Sequence, residues 1–498
     1  MAGTIRKQTI QGTISSYAGV LIGTATQAFL IPNFFTTEQN GLMALLLSWM
    51  YIFCQIASFG FNSAGTKYFP FFRNPEEKHR GYLFYGILTQ GVGFVLTAGL
   101  YALAKPWLLA TKAGENPLYE TYFWYLLPIA GATLVFNLFD NYAKGLYDSV
   151  WGTFFSQVLQ RFLVLIAVLT VALGWFTFTD FMPIWSLAII IPSVLMVIRS
   201  VQLGSFSIRP TSTFFQSPQA KGFVQFAGFS IITGLSSMII LHLDKIMISN
   251  YLGLSDTGIY NTIFLFSSVM GMSYMTVLKA SSAIVIDGMQ ENRMKDVEII
   301  YQKSSINLLI FGCLLLATVW VSIDELFSFI KPEYAKAKYA LLWIGLGKLI
   351  DLGHGINGLI LSNSKYYKLD SFLVLSFVGL LYFLNDWLIP AYGINGATYA
   401  AFGAVLYYNT ARTGLIWHYF RIQPFRSTHM IILAIFGACM GLGYILPDIS
   451  SWPFVQLLFQ SGSIGILFLA LVWVTQISPE LSGLLQIGYR ALISPKNK

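Results

Sequence analysis

Charge is scarce in this chain. Of its 498 residues only 10% are Asp, Glu, Lys or Arg, against about 25% in an ordinary soluble domain, so most of the chain cannot face water. Cysteine is nearly missing: Cys54, Cys313 and Cys439 each sit inside an apolar run and none has a C-x-x-C neighbour, which excludes a disulfide framework and a thiolate metal site. Long polar segments are missing too. The stretches between apolar runs reach about two dozen residues at most, too few for a soluble domain. A cleavable leader is not expected, because Arg6 and Lys7 precede an apolar stretch that thirteen more follow. Together these absences exclude a secreted fold, a cytosolic enzyme and a nucleic-acid binder.

What is there is hydrophobic. Apolar residues make up 55% of the chain, in runs of about 20, the length that crosses a ~30 Å hydrocarbon core. The expected fold is therefore all-α, a polytopic membrane protein. Hydropathy gives fourteen candidate spans, at about 9–32, 41–66, 81–104, 121–143, 154–176, 181–203, 222–250, 257–283, 305–323, 337–362, 370–390, 391–417, 429–446 and 453–475. The fourth, tenth and twelfth are the least apolar, and a count of twelve is the rival. With the N-terminus in the cytoplasm, 22 of the 30 Lys and Arg fall at cytoplasmic ends and loops, five fall outside, and three lie within spans. That bias is what the positive-inside rule demands. It predicts a multi-pass protein of the cell (inner) membrane with both termini cytoplasmic.

Two segments carry apolar residues at helical spacing between or after spans: Met289–Ser304, with Met294, Val297, Ile300 and Tyr301 on one face, and Pro479–Ile493. Both are expected to lie as helices on the membrane surface. A weak internal repeat also shows. At an offset of 217 residues Ile31 pairs with Ile248, Asn33 with Asn250 and Gly41 with Gly258, with Phe34/Tyr251 and Leu42/Ile259 similar. The offset joins the first outer loop to the loop six spans later, so two pseudo-symmetric six-helix lobes are expected, roughly 1–210 and 215–425. An extra transmembrane pair at 429–475 and a cytoplasmic tail at 476–498 follow.

Four motifs add a resemblance. Ile5–Tyr17 reads I-R-K-Q-T-I-Q-G-T-I-x-S-Y, and Phe34–Leu42 reads F-x-T-x-E-Q-x-G-L with Phe35 and Thr37 inside it. Asp244–Tyr260 reads D-K-I-M-I-x-x-Y-L-G-L-x-x-x-G-I-Y, and Tyr392–Ala400 reads Y-G-I-N-G-A-T-Y-A. In these motifs the chain resembles the multidrug/oligosaccharidyl-lipid/polysaccharide exporter superfamily, and within it the flippases of lipid-linked oligosaccharides. The resemblance implies two lobes that open alternately inward and outward. The motifs are moderately specific to the superfamily and poorly specific for substrate.

Ionisable groups within spans cost about 2.5–3.5 kcal/mol each on insertion scales and so face a cavity or a partner. Three cations qualify as substrate-binding candidates: Arg161, Lys245 and Lys348. Arg161 lies seven residues into the fifth span with Gln157 one turn before it, and a guanidinium matches a diphosphate through paired hydrogen bonds; snorkelling to the surface is the alternative. In the seventh span His242 shares a face with Lys245, while Asp244 points elsewhere, so an Asp–Lys pair to a neighbouring helix competes with ligand contact. In the tenth span (GKLIDLGHGING) Lys348, Asp351 and His354 recur every three residues among five glycines from Gly345 to Gly358. Lys348 and Asp351 are placed to neutralise each other, yet such a pair at mid-membrane needs polar surroundings, so this helix is expected to line the transport path. Asp244, Asp351 and His354 are the candidates for coupling or gating. Asp140 with Asn137 is a weaker candidate. No catalytic residue, metal site or cofactor is expected. Most tyrosines and tryptophans near span ends, such as Tyr122–Tyr125 and Tyr407–Tyr408, read as an interfacial belt.

The favoured expectation is a flippase that moves a polyprenyl-(di)phosphate-linked oligosaccharide from the cytoplasmic to the outer leaflet by alternating access, for cell-surface polysaccharide biosynthesis. Its partners would be that substrate, membrane lipids and polysaccharide-assembly proteins. An ion-coupled multidrug exporter is the alternative, although the first span carries no acid to bind a cationic drug. A peptidoglycan-precursor flippase ranks lower, because the first two spans have no arginine. A glycan polymerase or glycosyltransferase ranks lowest, for want of a large outer loop or a D-x-D motif.

Overall fold

The computed structural model describes residue 12 and residues 15–478 except 115, 205 and 212. Helices fill it; among the described residues there is no strand, only one isolated bridge between Thr111 and Gly114. Nine of these helices are long and apolar enough to cross a membrane, and Ser427–Gly443 is a shorter apolar one. The chain divides into two compact units, Met1–Thr262 and Ile263–Lys498.

In the first unit α1 covers 15–34, with a π-turn at Ala25–Leu30, and α2 covers Thr37–Ala57. The T-x-x-Q of the second motif is a capping box: the Thr36 hydroxyl accepts from the Gln39 amide (3.2 Å) and the Gln39 side chain accepts from the Thr36 amide (3.0 Å). The expected second span is broken. After Ala57 the backbone turns through Phe59 (φ 45°) and Gly60 (φ 70°) into α3, Phe61–Phe72. Gly60 is required twice over, for its left-handed φ and because a β-carbon there would collide with the Ala227 carbonyl. Then come α4 (Tyr82–Leu109), α5 (Pro117–Gly145), α6 (Val150–Ala172, with a π-turn at Phe155–Leu159), α7 (Phe178–Gln202), α8 (Ala220–Leu252) and α9 (Leu254–Ser268), within which the units part.

The repeat-related segments meet at the starts of α2 and α9. Gly41 presses on the Leu254 backbone and Gly258 on the Thr37 backbone, so tightly that a β-carbon at either site would overlap a carbonyl oxygen. Leu254 is the 217-residue counterpart of Thr37, so the contact is reciprocal. Small residues let the two backbones approach, and three bonds follow: Thr37 to Ser255 between hydroxyls (2.8 Å), and the buried Asn40 amide to the Gly258 carbonyl (3.1 Å) and the Thr262 hydroxyl (2.9 Å).

In the second unit α10 is Gly271–Gln290 and α11 is Met294–Val321. This corrects one expectation. Residues 294–304 form the first turns of α11 itself, and their apolar face turns into protein, with Val297 and Tyr301 fully buried beside Ile356 and Ile360. Pro479–Ile493 lies outside the described residues. The tenth span is two helices, α12 (Lys338–Gly353) and α13 (Asn357–Ser362), joined by a turn in which Gly355 has φ 57°. The fold ends with α14 (Tyr367–Tyr392), α15 (Ile394–Phe420), α16 (Ser427–Gly443) and α17 (Pro453–Val474). The Y-G-I-N-G motif is the α14–α15 corner: Gly393 turns the chain at φ 61°, and Gly396 packs on the Leu388 carbonyl.

Most tryptophans are exposed, Trp107, Trp124, Trp151, Trp175, Trp387, Trp417, Trp452 and Trp473 among them, as a belt requires, but a minority of the aromatic residues near span ends are core residues. Tyr119, Tyr122 and Phe123 are buried in the first unit's core, with Phe123 stacked on Tyr101 at 4.2 Å. Tyr82, Tyr142, Tyr260, Tyr301 and Tyr334 are fully buried as well. Offset and edge-on ring pairs contribute about 0.5–1.5 kcal/mol beyond area burial, which favours packing them inside.

Candidate functional site: a polar cavity in the first unit

Along α2 and α3 the residues Gln55, Ser58, Asn62 and Thr66 recur at three- and four-residue intervals in otherwise apolar helix, and Asn137, Asp140, Asn141 and Lys144 do the same on α5. The fold turns these polar faces toward one another. They enclose a cavity of about 570 Å³ with Tyr51, Arg73 and Tyr147 also in its wall, a volume within the roughly 300–1,000 Å³ of small-molecule sites. Some wall groups hold each other: the Thr66 hydroxyl donates to Asn141 Oδ1 (3.0 Å), the Asn141 amide to the Asn62 carbonyl (2.5 Å), and Gln90 to Asn62 Oδ1 (2.8 Å). Others are open. The side chains of Gln55, Ser63 and Asn137 have no hydrogen-bonding partner among the described residues, and one oxygen of Asp140 is buried without one. Lys144 pairs with the other Asp140 oxygen. Arg73 donates to the Gly145 carbonyl (3.0 Å) and stacks on the exposed ring of Tyr147 at 4.3 Å. With Arg73, Lys144 and Asp140 the wall carries a net charge of +1.

The six site residues expected from sequence lie elsewhere. Arg161 follows the π-turn of α6 and is half-buried, with no hydrogen bond or ion pair among the described residues. Its guanidinium covers Gly23, and Gln157 packs its backbone on Gly19. A small-x-x-x-small stripe on α1 thus receives α6, and Gln157 does not bond Arg161. Among the cavity residues Tyr51 lies within electrostatic reach of Arg161; its ring stacks on His242 at 5.0 Å, while His242 Nδ1 lies 3.2 Å from the Ser48 hydroxyl. Asp244 and Lys245 are both buried in α8, and Asp244 accepts from the Tyr260 hydroxyl at 2.7 Å, tying α8 to α9.

In the second unit Lys348 is half-buried and has no hydrogen bond or ion pair among the described residues, so the expected neutralisation by Asp351 is not formed. Asp351 instead accepts from Asn409 (3.1 Å), which in turn accepts from Asn357 (2.9 Å). His354 ends α12, donates from Nδ1 to the Ile350 carbonyl (2.7 Å) and meets Phe425 edge-on at 5.1 Å. Arg412 counts by sequence among the loop-side cations. There it forms a two-toothed ion pair with the buried Asp370 (2.6 and 3.0 Å) and lies over Tyr408 at 4.1 Å. The weaker candidates Asp140 and Asn137 do line the cavity. Arg73, Asn62 and Gln55 were missed, and the signal was present in the helical spacing of their polar neighbours.

The family described as polysaccharide biosynthesis protein matches residues 9–283, more than half of the chain. The chain belongs to this family. No curated protein matches it. Among solved structures, the lipid II flippase MurJ in an inward closed conformation shares the fold of this family member at a TM-score of 0.73, with 12% identity over 94% of this chain and 100% of that one. An inward-facing multidrug resistance MATE family transporter of the MOP superfamily gives 0.57 at 14% identity, over 82% of this chain and 94% of the other. An outward-facing MATE family transporter gives 0.54 at 12%, over 83% and 95%. Family membership and the shared fold, with the long apolar helices, make the chain a multi-pass membrane protein.

Proposed function

We propose that the protein carries a polyprenyl-(di)phosphate-linked oligosaccharide from the cytoplasmic to the outer leaflet of the cell membrane by alternating access, with no catalytic step of its own. The observation that carries this reading is the amide- and hydroxyl-lined cavity with an arginine in its wall. Sugar hydroxyls both donate and accept, so the open groups of Gln55, Ser63 and Asn137 suit them without regard to exact ring geometry. The Arg73 guanidinium, anchored at one nitrogen, keeps donors for a phosphate. In the second unit the unpartnered Lys348 is the next anion contact; Arg161 and Lys245 remain candidates of the same kind. Ion coupling falls to Asp351, whose one hydrogen bond among the described residues comes from a neutral amide, with Asp244 and His354 in gating. The reading keeps two six-helix lobes and a further pair, fourteen spans, both termini cytoplasmic, and polysaccharide-assembly proteins as partners.

A second reading, export of cationic compounds, draws support from Asp140, an acid with a buried unpartnered oxygen in the cavity wall. The test is reconstitution into liposomes with a fluorescent polyprenyl-diphosphate oligosaccharide, scored by access of an external sugar-modifying enzyme, beside efflux of a cationic dye. Translocation of the lipid-linked sugar that falls at least about tenfold in Arg73→Ala, and only in part in Arg73→Lys, supports the flippase. Dye efflux that depends on Asp140, without sugar translocation, overturns it in favour of the exporter.

A further inference from the structure

The helices α16 and α17 have no part in the cavity of the first unit, yet they help to form a crevice in the second. The end of α11, the start of α12, the segment after α16 and the body of α17 enclose about 240 Å³, close to the size of one sugar ring, in a mainly polar wall. Its groups are arranged in complementary fashion. Lys338 grips Asp324 through both carboxylate oxygens (2.6 and 2.8 Å). The Trp320 indole donates to the Tyr444 hydroxyl (3.0 Å), which leaves that hydroxyl's own hydrogen free to donate. Asp448 takes a bond from Gln456 on one oxygen (3.0 Å) and leaves the other open. Gln460, on α17, is 8% exposed, and its amide oxygen is buried with no partner among the described residues.

We propose that this crevice binds an uncharged saccharide unit. One lysine against two aspartates leaves a net negative charge, which repels phosphate. Asp324 is already neutralised by Lys338, so the two carboxylates do not converge on a cation. An apolar guest would leave the buried Gln460 oxygen unsatisfied. Neighbouring sugar hydroxyls donate to Gln460 and Asp448 and one accepts from Tyr444, while the exposed Tyr444 ring offers a face to sugar C–H groups. The inference concerns the second unit alone and does not depend on what the first unit's cavity carries.

The experiment is saturation-transfer NMR on the full chain in detergent with glucose, galactose and N-acetylglucosamine as probes. At least one probe is expected to receive transfer, reduced about fivefold or more in Gln460→Leu and in Asp448→Ala, each checked for an unchanged elution profile and helicity. Because Asp448 sits in a loop after α16, its variant stays informative if Gln460→Leu misfolds. Competition by a polyprenyl-diphosphate oligosaccharide assigns the ligand to lipid-borne glycan, and lack of competition assigns it to free saccharide; either keeps the site. No transfer from any probe, or transfer untouched in both folded variants, overturns it.

Discussion

A charge packed among apolar helices needs a reason, and the cations here divide by whether they have one. Arg412 is held by the buried Asp370 through two hydrogen bonds. Removing one member of a buried ion pair strands the other, at about 3–5 kcal/mol. Asp370→Ala is therefore expected to lower the thermal midpoint of the purified protein sharply, and Asp370→Leu combined with Arg412→Leu to recover most of the loss; a thermal-shift series checks this. Lys348 has no such tie among the described residues. Lys348→Ala is expected to leave the thermal midpoint unchanged or raised while liposome translocation is lost, and Lys348→Arg to keep part of it. Transport at the normal rate in Lys348→Ala would remove this residue from the transport path. Spacing in the sequence could not separate the two cases, because Lys348 and Asp351 are as well placed on their helix as any ion pair. What decides is Asn409 from α15, which takes up Asp351.

At the scale of elements, the motif residues act on the backbone. The threonine and glutamine of the F-x-T-x-E-Q stretch cap α2, Gly253 and Gly393 supply positive-φ corners, and Gly41, Gly258 and Gly396 permit backbone contact. These roles explain why such motifs mark a superfamily and say little about cargo. They were legible as patterns, while their partners were not: a glycine shows where something passes close, not what passes. The Gly41–Gly258 crossing makes two predictions. Thr37→Cys with Ser255→Cys is expected to cross-link under mild oxidation, since the two hydroxyl oxygens lie 2.8 Å apart. Gly41→Val is expected to prevent that cross-link and to lower the thermal midpoint, because separating α2 from α9 also breaks the Asn40 bonds, worth about 0.6–2 kcal/mol each between membrane helices. Gel mobility of the double-cysteine protein reads the cross-link, and a thermal-shift assay reads the loss of stability. The break at Phe59–Gly60 and the continuity of α11 through residue 294 were hidden for a related reason. Hydropathy measures how apolar a stretch is, and neither a sharp turn inside an apolar run nor a polar run that stays helical changes that average enough.

For the whole molecule the expected topology is directly testable. All three native cysteines are buried, so thiol labelling of intact cells reports introduced cysteines. Replacing Asp448 or Lys331 is expected to give labelling by a membrane-impermeant maleimide from outside, and replacing Lys67 or Arg293 to give labelling only after the membrane is opened. The reverse pattern would invert the protein.

Composition and patterning by themselves determined that this is an all-helical membrane protein, roughly where its helices lie and which superfamily it resembles. Those properties follow from local terms: backbone in lipid must bond within itself, which an apolar run of about 20 residues achieves as a helix, and a buried charge or a glycine is conspicuous wherever it stands. The tertiary structure alone decided which polar groups spend their bonding on one another and which remain open to a ligand. Asp351, Asp370 and Arg412 are taken up by neighbours from distant parts of the chain, and Gln55, Asn62 and Arg73 are gathered from α2, α3 and the residue after it to face α5. Partnership depends on which helix lies opposite, and that is a property of packing rather than of any single segment.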